Sequence, residues 1–149
     1  MKRAFFLLVG IVLLAGSLCI TSCSGIAASG DYETFNVENP ADFTEILVKG
    51  SHDVQYKQST DGTTSVTVSY PDNLAEYLAV NVTAGKLTVA YKDNANIRGK
   101  SKIRVTATSP LLVSAILNGS GDINIAGNIG DLSEEVRLEV NGSGELGVK

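Results

Sequence analysis

The strongest constraint on this chain is a glycine motif that returns. Leu117-Asn118-Gly119-Ser120-Gly121-Asp122-Ile123-Asn124-Ile125 recurs 23 residues later as Val140-Asn141-Gly142-Ser143-Gly144-Glu145-Leu146. A blurred copy stands earlier as Val48-Lys49-Gly50-Ser51-His52-Asp53-Val54-Gln55-Tyr56. Each copy reads as an apolar–polar strand, a Gly-Ser turn, an acid and a second alternating strand. Turns at a constant interval are the mark of chain circuits stacked in register, so the spacing predicts a β-solenoid. A β-sandwich produces the same local pattern. The equal spacing favours the solenoid, with Gly50 lying 69 residues, or three intervals, before Gly119.

The rest of the chain reads as short strands punctuated by turns. Val66, Val68 and Tyr70 alternate with Thr67 and Ser69, and Ile103, Val105 and Ala107 alternate with Lys102, Arg104 and Thr106. Val80 and Val82, Ala84-Gly85, then Leu87, Val89 and Tyr91 predict a β-hairpin. Residues 73–78 are the one helical candidate after the leader, a single turn. The last motif copy lies almost at Lys149 with no capping segment in view. The expectation is therefore a solenoid incomplete at its C-terminus, cut from a longer protein.

The N-terminus sets the compartment. Lys2 and Arg3 precede a mostly apolar run from Ala4 to Leu18, too short for a membrane span but right for a signal peptide. Ile20-Thr21-Ser22-Cys23 follows, and it resembles the lipobox of bacterial lipoproteins. The resemblance implies cleavage after residue 22, a diacylglyceryl group on the Cys23 sulfur and acylation (palmitate) of the new N-terminus. Two or more chains anchor stably where one does so only marginally. The expected divisions are a signal peptide over 1–22, a lipid-anchored flexible tether over 23–31 and one folded domain over 32–149. Cys19 leaves with the leader and Cys23 is blocked by lipid, so neither a disulfide nor a cysteine zinc site is expected. Without Lys2 and Arg3, ten basic residues face 16 acidic ones, which argues against nucleic acid as a partner.

Larger stretches resemble a known family. Phe43 to Val54, with its Ile-Leu-Val-x-Gly-Ser-x-Asp-Val pattern, Pro71-Asp72-Asn73-Leu74, Gly85-Lys86-Leu87-Thr88-Val89 and Gly119-Ser120-Gly121-Asp122-Ile123 resemble the auto-transporter adhesin, head GIN domain family of secreted bacterial proteins. The resemblance spans roughly Tyr32 to the end. It implies a right-handed parallel β-helix similar to pectin lyases, no retained catalytic residues and a role in adhesion. The resulting expectation is an outer-membrane lipoprotein bound to the membrane through its lipid. Its non-catalytic domain would take a glycan or a surface protein as ligand. A polysaccharide-active β-helix enzyme and a purely structural envelope protein are the alternatives.

The candidate site residues are the repeat turns: Gly50, Ser51 and Asp53; Gly119, Ser120, Gly121 and Asp122; Gly142, Ser143, Gly144 and Glu145. Stacked turns would line up Asp53, Asp122 and Glu145 as a column of carboxylates. Such a column either binds calcium or has each acid accepting from the amides of its own turn. Calcium-binding glycine–aspartate arrays repeat every nine residues and this motif does not, so no metal and no cofactor is expected. His52, the lone histidine, falls in the slot of Gly121 and Gly144 and is expected to be exposed on a bend. The loop over 93–102, with Arg98, Lys100 and Lys102, is either a solvated loop or a seat for an acidic glycan. No carboxylate pair across a cleft, as glycoside cleavage requires, can be picked out.

Overall fold

The computed structural model describes residues 25–93, 95–99, 102–127, 129 and 135–149. The leader and Cys23 lie outside the described residues. In chain order the strands are β1 (Ile26–Ala27), β2 (Tyr32–Asn36), β3 (Glu45–Lys49), β4 (Asp53–Gln58) and β5 (Ser65–Pro71). A 3-10 turn over Asp72–Tyr77 leads into β6 (Leu78–Thr83), β7 (Lys86–Tyr91), β8 (Ile97–Arg98) and β9 (Arg104–Ser109). The chain ends with β10 (Ser114–Gly119), β11 (Asp122–Ala126), β12 (Arg137–Gly142) and β13 (Glu145–Val148).

Period-two alternation decides which face each strand buries. In β4, Val54 and Tyr56 are buried while Gln55 and Lys57 are exposed. The buried faces share one cluster that includes Ile46, Val48, Leu87, Val89, Leu117, Ile123 and Ile125. Strands contribute to it from two sheets. One holds five strands in the order β12-β10-β3-β7-β6, the other six in the order β13-β11-β4-β9-β5-β2.

Each Gly-Ser motif is a corner that carries the chain from the first sheet to the second: β3 to β4, β10 to β11, β12 to β13. We call a strand, its corner and the following strand a layer. Three such layers lie directly on one another. Gly119 is in register with Gly142, and Asn118 with Lys49. Backbone hydrogen bonds run between corners: Ser120 N–H donates to the Gly50 carbonyl at 3.2 Å and Ser143 N–H to that of Gly119 at 3.1 Å.

The fold is nonetheless not the right-handed parallel β-helix that the spacing and the resemblance led us to expect. Both sheets are mixed. β6 runs antiparallel to β7, and β5 runs antiparallel to both β2 and β9. Nor does spatial order follow chain order, as it must when each circuit of a solenoid lies on the one before it. β3 sits between β7 and β10, and β4 between β9 and β11. Gly50 and Gly119 are therefore adjacent layers, not corners three circuits apart. The physical reason is that matching glycine corners dictate which turns can lie against each other, but not what the chain does between them. Here the intervening chain reverses at Ala84 (φ 50°) and Gly85 (φ 76°), a two-residue turn with both dihedrals positive. That hairpin, β6–β7, is the one the sequence predicted.

The segment expected to be a flexible tether is docked from Gly25 onward. β1 pairs with β8, and Ser29 N–H donates to Asn73 Oδ1 at 3.0 Å. The predicted helical turn is the 3-10 turn, anchored by buried Leu74.

The corners tolerate no side chain at their closest contacts. A Cβ added to Gly121 would lie 1.8 Å from the His52 carbonyl oxygen and 2.6 Å from its nitrogen. Those atoms are backbone, so a rotamer change cannot relieve the clash. Gly121→Ala is expected to lower stability by about 3 kcal/mol, read from denaturant unfolding. A loss under about 0.5 kcal/mol would mean that the layers are not in the contact described.

Candidate functional site: the acid column

Strand parity sorts the corner residues. Asp53 alternates with Gln55 and Lys57 and so lies on the outer face of the six-stranded sheet. Asp122 and Glu145 are in register with each other on that same face. The three acids do form a ladder, and Asp53 and Asp122 each reach the next layer and not their own turn. Asp53 Oδ1 accepts from Asp122 N–H at 3.2 Å, and Asp122 Oδ1 from Glu145 N–H at 3.3 Å. Asp53 and Asp122 thus each help to hold the layer above. The expected pairing within each turn is replaced by pairing between turns, because stacking brings the next layer's amide within reach.

A cation is also present, and it comes from the chain. Lys102 Nζ lies 2.9 Å from Asp53 Oδ1 and 3.9 Å from Asp122 Oδ2. Its hydrogen bond to Asp53, with that carboxylate's charge, raises the ammonium pKa despite partial burial, so it stays charged. Like charges in register repel, and this lysine offsets the repulsion between Asp53 and Asp122. Among the described residues, no group of three or more His, Cys, Asp or Glu side chains is arranged to hold a metal ion.

His52 is buried, at 2 % exposure, where an exposed bend was expected. Parity explains it: residues 52, 54 and 56 share one face of the strand, and that face is the core. Gly121 and Gly144 occupy the same inward slot, where the layer beneath is a tight corner. Beneath His52 the layer holds β7 and β9, with no tight Gly-Ser corner between them, and the ring lies against Tyr91 and Ile103. The imidazole stands edge to face with Tyr91 at 4.7 Å between centroids. Its Nδ1 accepts the Ile103 N–H at 3.2 Å, so the neutral ring carries its proton on Nε2. Burial, opposed by Asp53 and assisted by Lys102, lowers its pKa from 6.5 to about 4.

Of the basic residues weighed as a seat for an acidic glycan, the two in the described residues are engaged elsewhere. Lys102 is committed to the acid column. Arg98 belongs to β8, and its side chain covers Gly25, where a Cβ would lie 2.3 Å from the arginine Cγ. Lys100 lies outside the described residues. Lys102 is the functional residue that sequence reasoning misplaced. The available signal was its outward parity with Arg104, which is in register with Asp53.

Two measurements follow from this geometry. The folded state holds His52 neutral, whereas the unfolded chain protonates it below its ordinary pKa of 6.5. Its contribution is complete above pH 6.5 and falls as pH drops toward about 4, a total of about 3 kcal/mol. Between pH 6.5 and 5, above the carboxylate range, His52→Asn is expected to flatten the slope of unfolding free energy against pH. Lys102→Met is expected to cost about 1 kcal/mol at low salt, because the pair is partly exposed, and less in 1 M salt, where the carboxylates are screened from each other.

Comparison with known proteins places this architecture. The family model described as "Putative auto-transporter adhesin, head GIN domain" matches residues 42–149. A search of curated proteins finds no match. Among solved structures, the chain is similar to a putative adhesin from Bacteroides fragilis NCTC 9343, at 26% identity and TM-score 0.62, covering 83% of this chain and 64% of that one. It is similar to a putative adhesin from Parabacteroides distasonis ATCC 8503, at 27% identity and TM-score 0.60, covering 84% and 58%. It shares the fold of a putative lipid binding protein from the same Parabacteroides strain, at 24% identity and TM-score 0.55, covering 80% and 53%. The chain therefore spans between about half and two thirds of the length of these structures. With the match covering most of its length and the folds agreeing, the chain belongs to the family described as "Putative auto-transporter adhesin, head GIN domain".

Proposed function

We propose that this chain is a non-catalytic adhesive module of the bacterial cell envelope, held to the outer membrane by lipid on Cys23 and presenting its sheets to a glycan or surface-protein ligand. The observation that carries the non-catalytic reading is the state of the acid column. Asp53 and Asp122 are occupied by Lys102 and by the amides of the next layer. A general acid or nucleophile for sugar chemistry needs a carboxyl group free to face substrate. Family membership supports the adhesive reading. The anchor rests on the Ile20-Thr21-Ser22-Cys23 pattern behind an apolar leader. Among the described residues no helix is long and apolar enough to cross a membrane.

The test combines labelling and binding. Cells expressing the chain are expected to incorporate radiolabelled palmitate into it, and Cys23→Ala to abolish the label. The purified chain, screened against immobilised pectic and host glycans and matrix proteins, is expected to bind without releasing reducing or unsaturated ends. Product formation that Asp122→Asn removes would replace the adhesive reading with an enzymatic one.

A further inference from the structure

We propose that a straight row of side chains across the outer face of the six-stranded sheet, Asn36, Thr67, Thr106, Gln55 and Asn124, binds an extended neutral glycan. The inference rests on the adhesive reading above and gives it a ligand class and a place.

Strand register builds the row. Asn36 in β2 lies opposite Thr67 in β5, and Thr67 opposite Thr106 in β9. Thr106 lies opposite Gln55 in β4, and Gln55 opposite Asn124 in β11. Each residue has the parity that faces away from the core, and all but half-buried Thr67 are exposed. Neighbouring strands lie about 4.8 Å apart, close to the advance of one pyranose unit along an extended glycan. The row thus offers one hydrogen-bonding group per sugar. Hydroxyls and primary amides both donate and accept, as sugar hydroxyls require.

The row is uncharged, although its flanks are not. Arg104, Asp53, Asp122 and Glu145 stand on one side and Lys57 on the other. A charged chain lying here would meet like charge on one flank or the other. Polar groups beside the row are also committed to one another: Asp53 and Asp122 to Lys102, and Ser65 Oγ to Thr108 Oγ1 at 2.7 Å. Within the row, Thr67 Oγ1 donates to Asn36 Oδ1 at 2.7 Å, which holds the asparagine and leaves its amide N–H groups unspent. The side chains of Thr106, Gln55 and Asn124 hydrogen-bond to no other described residue.

Shape agrees with chemistry. A cleft of about 290 Å³ opens between Asp53, Gln55, Thr67, Ser69, Arg104 and Thr106. A second, of about 530 Å³, continues past Gln55 and Thr106 to Asn124. The middle of the row is carried by β4, β5 and β9, which have a strand on both sides. A layer added at either end of the sheet therefore extends this face without covering them. The large exposed apolar side chains of the described residues, Tyr32, Phe35, Leu138, Val140 and Val148, all lie outside the row. It lacks the apolar anchors on which a protein partner would depend.

The experiment is calorimetric titration of the full chain in a detergent without a sugar headgroup. The ligands are linear neutral hexasaccharides of glucose, mannose and xylose, and hexagalacturonic acid, at up to about 5 mM, which reports millimolar affinity. At least one neutral hexasaccharide is expected to bind, and more tightly than hexagalacturonic acid. Gln55→Ala combined with Thr106→Ala removes two exposed hydrogen-bonding groups and is expected to weaken binding roughly tenfold, with circular dichroism unchanged. Asn81→Ala, exposed on the other sheet, is expected to leave binding as it was. Neutral-glycan binding that survives the double substitution overturns the row as the site and leaves the adhesive reading standing. So does a chain that binds only hexagalacturonic acid, or only matrix proteins. A chain that binds none of these glycans or proteins removes both.

Discussion

The structure depends on how closely one backbone approaches another at the glycine corners. Cβ atoms built on Gly119 and Gly142 would each fall 2.0 Å from the carbonyl oxygen of the corner below. Only hydrogen can occupy that space, so the motif is a steric requirement of stacking before it is anything else. Once the corners touch, the registers of both sheets are set together, because each corner feeds one strand to each sheet. A one-residue slip would turn every buried side chain of a layer outward.

The same contact creates the electrostatics of the outer face. Corners that stack in register also stack whatever side chain follows them, which here is an acid each time. The chain resolves the resulting crowding with directed amides and a single lysine from the segment that leads into β9. Its inward counterpart is the slot that holds glycine in two layers and histidine in the third. The difference between those layers is what lies beneath them: a tight corner in one case, Tyr91 and Ile103 in the other.

Much of this was legible in the sequence, and the failures are instructive. Strand alternation located the core of β4, β5, β7, β9 and β11, because burial on one face leaves a period-two trace in residue type. Ala84-Gly85 announced its hairpin through the dihedral freedom a tight reversal requires. Layer order left no such trace. A fixed interval between Gly50, Gly119 and Gly142 is compatible with sequential circuits and equally with insertion of β3–β4 between layers that come later in the chain. The choice is made by long-range pairing, such as Ile46 on Leu87 on one side and on Ala115 on the other. His52 was misread for a different reason. Alignment to Gly121 suggested an open bend, while its own parity with Val54 and Tyr56 pointed inward.

Lys102 carries a consequence for the surroundings in which such a module works. A column of carboxylates held together by a dissolved divalent ion takes on the ion content of its medium and loosens when that ion is stripped away. Here the counter-charge is covalently part of the polypeptide and arrives with the fold. The charge that faces Asp53 and Asp122 is therefore supplied without a dissolved divalent ion.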